Sequence, residues 1–363
     1  MYESAIKLLK KINSYGYKAY IIGGFPRDLY LKRNSTDVDI CTDATPMELH
    51  KIFSEMITAS SEYGTVNVLY DNIKFEISTF RKEYNYKDNR HPSKIDYVET
   101  LEEDIIRRDF TINTLAIDAN ENQIDILGAK KDLDDKIIKM VGNPRIKLKE
   151  DALRILRAIR FATILNFEIE PKLKYYIKRY GHFLRKISND IKKNELDIIF
   201  SNKNKEYGIK LLIELKLDKH LGLNNLKKIK ITPSKIVTWS ELNVLDKYNF
   251  NTLERESIIK INEVKDKKIL DKHILYEYGL YVCTMAAELK GIDKKRLNAS
   301  FSKLPIRSKL DIKISPMEIC KILKKDAGPY LKPLIADLEY QIIDGTIENE
   351  KKDIEKYIKE KYL

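Results

Sequence analysis

The chain has 363 residues, 43% of them hydrophobic, and carries 67 Lys and Arg against 55 Asp and Glu. That length holds two or three domains with cores of their own, and no stretch approaches the ~20 apolar residues that would span a bilayer. Three scattered cysteines and five dispersed histidines argue against a disulfide framework and a structural zinc site.

Met1 to Lys11 lacks the apolar core of a signal peptide, so a soluble, intracellular protein is expected. Tyr2 to Lys11 has apolar residues at helical spacing, and Lys18 to Ile22 reads as a first strand. A Gly23-Gly24 step follows, where backbone N–H groups can approach a ligand, and then Pro26, a residue favoured in the first turn of a helix. Helix starts attract phosphate. Arg27 adds a guanidinium that can fork onto phosphate oxygens, while Asp28 fits a cap or a partner for a nearby cation. Asp37-Val38-Asp39-Ile40-Cys41 reads as a strand with both carboxylates on one face and Val38 turned to the core, a site for a hard cation such as Mg²⁺.

Thr45 and Pro46 open a helix to Phe53, and two alternating runs, Thr65 to Tyr70 and Lys74 to Phe80, flank Asp71-Asn72 as a hairpin. Arg81 to Asp96 is polar, contains Pro92 and has no clean period, so a mobile loop is expected. Leu101 to Arg107 reads as a helix, and Thr111 to Asp118 and Gln123 to Leu127 as strand-like or buried segments. The fold class expected is an α+β front around a small mixed sheet, followed by an all-α C-terminal half.

Strand signals fade after Ile146. Lys147 to Leu165, Leu173 to Tyr180, Lys192 to Phe200 and Glu348 to Lys361 read as helices. Charge divides at the same place: residues 1–140 hold 20 basic and 24 acidic side chains, residues 141–363 hold 47 and 31. A basic excess confined to one part of a chain suits a polyanion, most simply RNA. Within the first of these helices, Glu150-Asp151-Ala152-Leu153-Arg154-Ile155-Leu156-Arg157-Ala158-Ile159-Arg160-Phe161 sets Asp151, Arg154 and Arg157 toward one side. A carboxylate only accepts hydrogen bonds and a guanidinium only donates them. Asp151 with Arg154 therefore matches the amine-beside-ring-nitrogen edge shared by cytosine and adenine, and rejects uracil and guanine, which present the reverse. Arg157 and Arg160 are then expected to be available to base, ribose or triphosphate.

Three segments in order, Gly23 to Ile40, Arg107-Arg108-Asp109-Phe110-Thr111-Ile112-Asn113, and Glu150 to Phe161, resemble the polymerase-β-type nucleotidyltransferase head and in particular class II tRNA nucleotidyltransferases. The chain departs from that family where Ser188-Asn189-Asp190-Ile191 lacks an arginine. The resemblance implies that Asp37 and Asp39 are catalytic and hold two Mg²⁺ ions, that Gly24 and Arg27 cradle the triphosphate, that Arg108 contacts the nucleotide, and that Asp151, Arg154, Arg157 and Arg160 complete its site. It implies addition of C, C and A to the tRNA 3′ end from CTP and ATP without a nucleic-acid template, in the cytoplasm. The basic back would hold the acceptor arm, with no membrane and no obligate protein partner.

A head at 1–142, a neck at 143–201, a body at 202–270 and a tail at 271–363 would follow. Lys82 to Lys94 resembles the loop such enzymes need for A addition, so its deletion would leave a CC-adding enzyme. Glu76 is left open as a third carboxylate. Nearby alternatives are a CC- or A-adding enzyme and a poly(A) polymerase; a non-catalytic RNA-binding protein and a small-molecule nucleotidyltransferase belong to other classes.

Overall fold

The computed structural model describes residues 1–35, 37–60 and 63–363, so Thr36, inside the Gly23 to Ile40 stretch, lies outside the described residues. Helix α1 (Tyr2–Ser14) buries Ala5, Ile6, Leu8, Leu9 and Ile12 along one stripe, and strand β1 (Ala19–Ile22) follows. Helix α2 (Gly24–Tyr30) leads to β2 (Asp39–Thr42) and then to α3 (Pro46–Phe53), which Thr45 and Glu48 close with a reciprocal capping box. Strand β3 (Ile57–Ser60) precedes the expected hairpin, β4 (Thr65–Tyr70) and β5 (Ile73–Thr79). Its two turn residues, Asp71 and Asn72, have φ of 49° and 60°, the left-handed conformation that a two-residue hairpin turn demands.

Residues 81–97 are an ordered hairpin rather than the expected loop. Strand β6 (Arg81–Lys87) pairs antiparallel with β7 (His91–Tyr97) as a two-stranded ribbon outside the main sheet. Pro92 is tolerated because a two-stranded ribbon has an outer edge where no N–H is needed. Helix α4 (Leu101–Ile105) and a 3₁₀ turn at Thr111–Asn113 lead to the short strands β8 (Ala116–Ile117) and β9 (Gln123–Ile124). The main sheet has seven strands in the order β3-β4-β5-β2-β1-β8-β9, antiparallel except for β2 beside β5. Its mixed character matches expectation. One face packs on α1 and α3 through Ile21, Ile40, Val66 and Phe75; the other covers Ile22 and Cys41 with Phe80, Leu101 and Ile105.

Helix α5 (Ala129–Asp134) and strand β10 (Ile137–Ile138) complete the front. The single helix expected over 147–165 is two. Helix α6 (Pro144–Glu150) stops at Asp151, whose φ of −132° and ψ of 105° are extended, and α7 (Leu153–Leu165) starts beyond Ala152. A two-residue strand, β11 (Glu168–Ile169), pairs parallel with β10. Helices α8 (Pro171–Tyr180), α9 (Asn189–Ser201), α10 (Lys205–Glu214) and α11 (Leu217–Leu221) follow, and α9 and α10 pack on α7.

The chain forms two compact units, Met1–Leu226 and Lys227–Leu363. The second is helical: α12 (Lys235–Leu242), α13 (Thr252–Val264), α14 (Lys272–Lys290, broken at Gly279), α15 (Lys294–Ser302), α16 (Pro316–Leu323), α17 (Leu331–Asp344) and α18 (Lys351–Tyr362). Isoleucines and leucines of α16, α17 and α18 make one apolar cluster in it, and Asp337 of α17 ties down the last helix by accepting hydrogen bonds from Tyr357, Lys361 and Tyr362 at 2.8–2.9 Å. Cys41 and Cys283 are buried, and burial pushes their thiols up to about 12 and about 11; Cys320 is half-buried. Among the described residues, no helix is long and apolar enough to cross a membrane.

Candidate active site

Strand β1 leads into Gly23, whose φ of 87° and ψ of −128° belong to glycine alone. The antiparallel register pairs Ile22 with Asp39, and a Cβ added to Gly23 would lie 3.2 Å from the Asp39 Oδ2. Gly24 has no such constraint, because its added Cβ would meet nothing closer than Arg27 Nη2 at 3.6 Å. The expected strand through Asp37 is shorter than predicted, with pairing that begins at Asp39. Alternation nevertheless holds: Val38 is buried while Asp37 and Asp39 are exposed.

The parallel register of β2 and β5 sets Glu76 beside Asp39, a partner the sequence left undecided. Asp39 has an exposed edge, yet the cleft walls strip water from its carboxylate. This loss, together with Glu76 and Asp37, raises its pKa, while Arg108 and Arg157 oppose the rise. An all-oxygen donor set whose negative charges crowd one another fits a hard divalent cation. Among the described residues no three His, Cys, Asp or Glu side chains gather closely enough to hold an ion by themselves, so a bound ion would complete its shell with oxygens from water or a substrate.

Beside this rim lies a cavity of about 320 Å³ walled by Gly23, Gly24, Arg27, Glu83, Arg107, Arg108, Asp109, Asn113, Asp151, Arg154, Arg157 and Phe161. Segments more than a hundred residues apart thus meet at one place. Arg27 is buried and forks onto Asp28 at 3.0 and 2.9 Å, so Asp28 is the cation partner expected of it. The same guanidinium donates to Asn113 Oδ1 at 2.8 Å, and Asn113 donates to Asp109 Oδ1 at 3.1 Å. Asp109 also accepts from Arg157 Nε at 2.7 Å and from the Phe110 N–H at 2.8 Å. Burial works against this charge, but Arg157 and the two N–H donors outweigh it and hold the Asp109 carboxyl down at about 2.

Arg107 and Arg108 share the fully buried Asp104, at 2.9 Å each, and these pairs keep it ionised despite its burial. Glu83, from the hairpin, binds Arg81 at 2.8 Å and accepts from Tyr86 at 2.6 Å.

Asp151 occupies the break between α6 and α7. One of its oxygens accepts from the Leu153 N–H at 2.9 Å, starting α7, and the other lies 4.0 Å from Arg154 Nε. Burial raises its pKa, against the pull of Arg154. Arg154 is 5% exposed and is aimed by donating to the carbonyls of Arg107 at 3.0 Å and Lys147 at 3.2 Å. Arg157 and Arg160 are not the unengaged cations expected: Arg157 is paired with Asp109, and Arg160 with Glu195 of α9 at 3.1 Å. Of the residues picked from sequence, Gly24, Arg27, Arg108, Asp151, Arg154 and Arg157 wall the cavity. Asp39 stands at its rim through Gly23, Asp37 lies beside Asp39, and Arg160 is set back behind Phe161. Phe161, Arg107 and Asn113 are wall residues whose signal lay inside motifs already recognised, and the Phe161 ring stands among three guanidiniums, those of Arg27, Arg157 and Arg160, at 4.6–5.5 Å.

A mixed sheet carrying a Gly-Gly step against an Asp-x-Asp strand defines a nucleotidyltransferase head, and residues 19–139 match the family model of the poly A polymerase head domain. Residues 242–358 match a model described as tRNA nucleotidyltransferase domain 2, putative. The chain is 34% identical to the CCA-adding enzyme of Streptococcus uberis over 98% of its own length and 96% of that protein, and 30% identical to the one of Bacillus subtilis over 99% and 98%. It therefore belongs to the CCA-adding enzyme family of tRNA nucleotidyltransferases. The crystal structure of the Bacillus stearothermophilus CCA-adding enzyme in complex with CTP superimposes with a TM-score of 0.87 at 26% identity, covering 99% of this chain and 97% of that one.

Two outcomes follow from this geometry. Gly23→Ala forces an L side chain into a glycine conformation at a cost of about 1–3 kcal/mol and displaces Asp39; a melting scan with a nucleotide-incorporation assay checks that both stability and turnover fall. Asp109→Asn destabilises residues 1–226 by about 2 kcal/mol at pH 7. The folded carboxyl titrates near 2 against an ordinary 3.8, so its contribution is complete above the ordinary value and is lost as pH falls through 2. Urea titrations at pH 7 and at pH 2.5 check that the gap between wild type and variant narrows in acid; an unchanged gap refutes the assignment.

Proposed function

We propose that this protein completes tRNA 3′ ends, adding C, C and A from CTP and ATP with protein side chains in place of a nucleic-acid template, in the cytoplasm. The observation that carries the reading is the single cavity into which Gly23-Gly24, Arg27, Arg107-Arg108-Asp109 and Asp151-Arg154-Arg157 all converge. In this reading residues 1–142 are the catalytic head, 143–201 the neck, 202–270 the body and 271–363 the tail.

The incoming triphosphate would lie over the Gly24 end of the cavity, where Arg27 and Arg108 offer the N–H groups not already spent on Asp28, Asn113 and Asp104. Asp37 and Asp39 would hold Mg²⁺, with Glu76 as a third carboxylate beside Asp39. The ion, when bound, lowers the pKa of the attacking 3′-hydroxyl and stabilises the leaving pyrophosphate. The 3′-oxygen attacks the α-phosphorus and the bond to pyrophosphate breaks. The base meets Asp151 and Arg154. Asp151 accepts from the exocyclic amine of cytosine or adenine, and Arg154, held rigid by two backbone carbonyls, donates to the ring nitrogen. Uracil or guanine would set acceptor against acceptor and leave buried groups unpaired.

Asp37→Ala and Asp39→Ala each lower nucleotide incorporation by about a thousandfold or more, about 4 kcal/mol of transition-state stabilisation, with tRNA affinity retained; single-turnover assays and filter binding check this, and full turnover in both variants removes the metal assignment. Asp151→Ala narrows the kcat/KM preference for CTP over UTP by about tenfold or more. Unchanged selectivity in an active variant would mean that the base is read elsewhere.

The reading as a whole is tested by a single-nucleotide-resolution gel with Mg²⁺ and tRNA lacking its CCA end. Two added residues with CTP alone and three with CTP and ATP are expected, whereas a long ladder from ATP identifies a poly(A) polymerase and no extension refutes nucleotidyl transfer.

A further inference from the structure

A second surface of the first unit has no part in the chemistry above. Between Pro171 and Lys186 the sequence carries six Lys and Arg, no Asp or Glu, three Tyr and a Phe. Helix α8 buries Leu173, Ile177 and Tyr180 and turns the rest outward. Lys172, Tyr175 and Arg179, spaced three and four apart, make one strip, with Lys178 beside it. Tyr175 is 59% exposed.

An amphipathic surface helix ordinarily pairs its charges with neighbours of opposite sign, as Lys193 and Asp197 do on α9. Among the described residues, Lys172, Lys174, Lys178 and Arg179 of α8 make no ion pair. Three of them, Lys172, Lys178 and Arg179, share the exposed side with Tyr175, and a polyanion relieves their mutual repulsion.

Rings accompany the charges. Tyr175 meets Tyr176 edge-on at 5.1 Å, Tyr176 stacks on Tyr180 at 5.8 Å, and Tyr180 stacks on Phe183 at 5.6 Å. Lys149 of α6 sits over Tyr180 at 5.4 Å and also walls a groove of about 390 Å³ between α6 and the hairpin, where Tyr84 and Tyr86 face it. That groove shares Glu83 with the nucleotide cavity. Tyr180 itself is buried, so the surface has two parts: the exposed Lys172, Tyr175, Lys178 and Arg179 of α8, and the groove of Tyr84, Tyr86, Arg145 and Lys149 that adjoins the active site.

The geometry points to a binding ledge for single-stranded RNA, its phosphates met by Lys172, Lys178 and Arg179 and its bases by Tyr175 and the tyrosines of the groove. Rings alternating with cations grip a single strand whatever its sequence, since every base has a face to stack and every phosphate a charge. A duplex offers its phosphates but hides its base faces, and an acidic peptide has no faces to stack, so neither uses both halves of the surface. The ledge deepens the function proposed above: the strand would be the unpaired end of the RNA being extended.

The test uses the full chain and a fluorescently labelled RNA 12-mer without secondary structure, with anisotropy read over a salt series. Tyr175→Ala and Arg179→Ala each raise the Kd about tenfold, Arg179→Ala also flattens the salt dependence by about one unit of slope, and Tyr175→Phe, which keeps the ring, retains wild-type affinity. CTP affinity measured without RNA stays the same in all three, which separates loss of the ledge from loss of the fold.

A 12-mer Kd unchanged in both alanine variants overturns the proposal. So does a loss confined to a duplex of equal length, or equal competition by polyglutamate, either of which would make the surface a general anion patch. Because the readout is binding, a wild-type protein that fails the extension gel yet shows these shifts refutes the function and leaves the ledge; a wild type that extends tRNA while the variants bind normally refutes the ledge alone.

Discussion

The site depends on one ion pair, Asp109 with Arg157, drawn from segments 48 residues apart. Asp109 is the point at which the front of the chain meets the helical part of the same unit. Through Asn113 it reaches Arg27 behind the Gly-Gly step, and through Arg157 it reaches α7. Asp109 is buried while the Arg157 side chain is a third exposed, so it is removal of Arg157 that strands a charge away from water, a loss larger than the pair's own net worth. The pair registers the phosphate end of the cavity against the base end.

The same logic runs through the cavity. Its arginines are held before any nucleotide arrives: Arg27 by Asp28, Arg107 and Arg108 by Asp104, Arg154 by two carbonyls. Donors fixed in place need no reorganisation when negative charge enters, which is where electrostatic catalysis and discrimination gain most. The carboxylates at the rim differ in kind. Asp39 is crowded by Glu76 and Asp37 rather than paired, so the protein supplies an excess of negative charge there and an excess of positive charge a few residues away.

Much of this was legible in the residues. The mixed sheet, the capped helix at Thr45, the hairpin at Asp71-Asn72 and the outward Asp37 and Asp39 follow from local period and turn chemistry, which need no distant partner. What escaped has physical reasons. The break at Asp151 lies inside a stretch whose apolar spacing continues across it, so periodicity cannot see that one carboxylate oxygen is spent on the Leu153 N–H.

The ribbon of β6 and β7 stands off the main sheet, with polar side chains on both faces and hence no alternation to read. The partners of Arg157 and Arg160 lie 48 and 35 residues away, beyond any helical spacing. Glu76 became a neighbour of Asp39 only when the strand register was known.

The cysteines carry a practical consequence. Cys41 lies within the active-site strand β2 and Cys283 within α14, both shielded from water and both with thiols that hold their protons far above neutral pH. Thiolate, not thiol, is the nucleophile. Cys320, half-buried on α16, is thus the one reachable by a thiol-directed dye. The chain carries a ready single attachment point in its second unit, far in sequence from every residue of the nucleotide cavity, so an optical reporter can be introduced without first engineering a cysteine-free background.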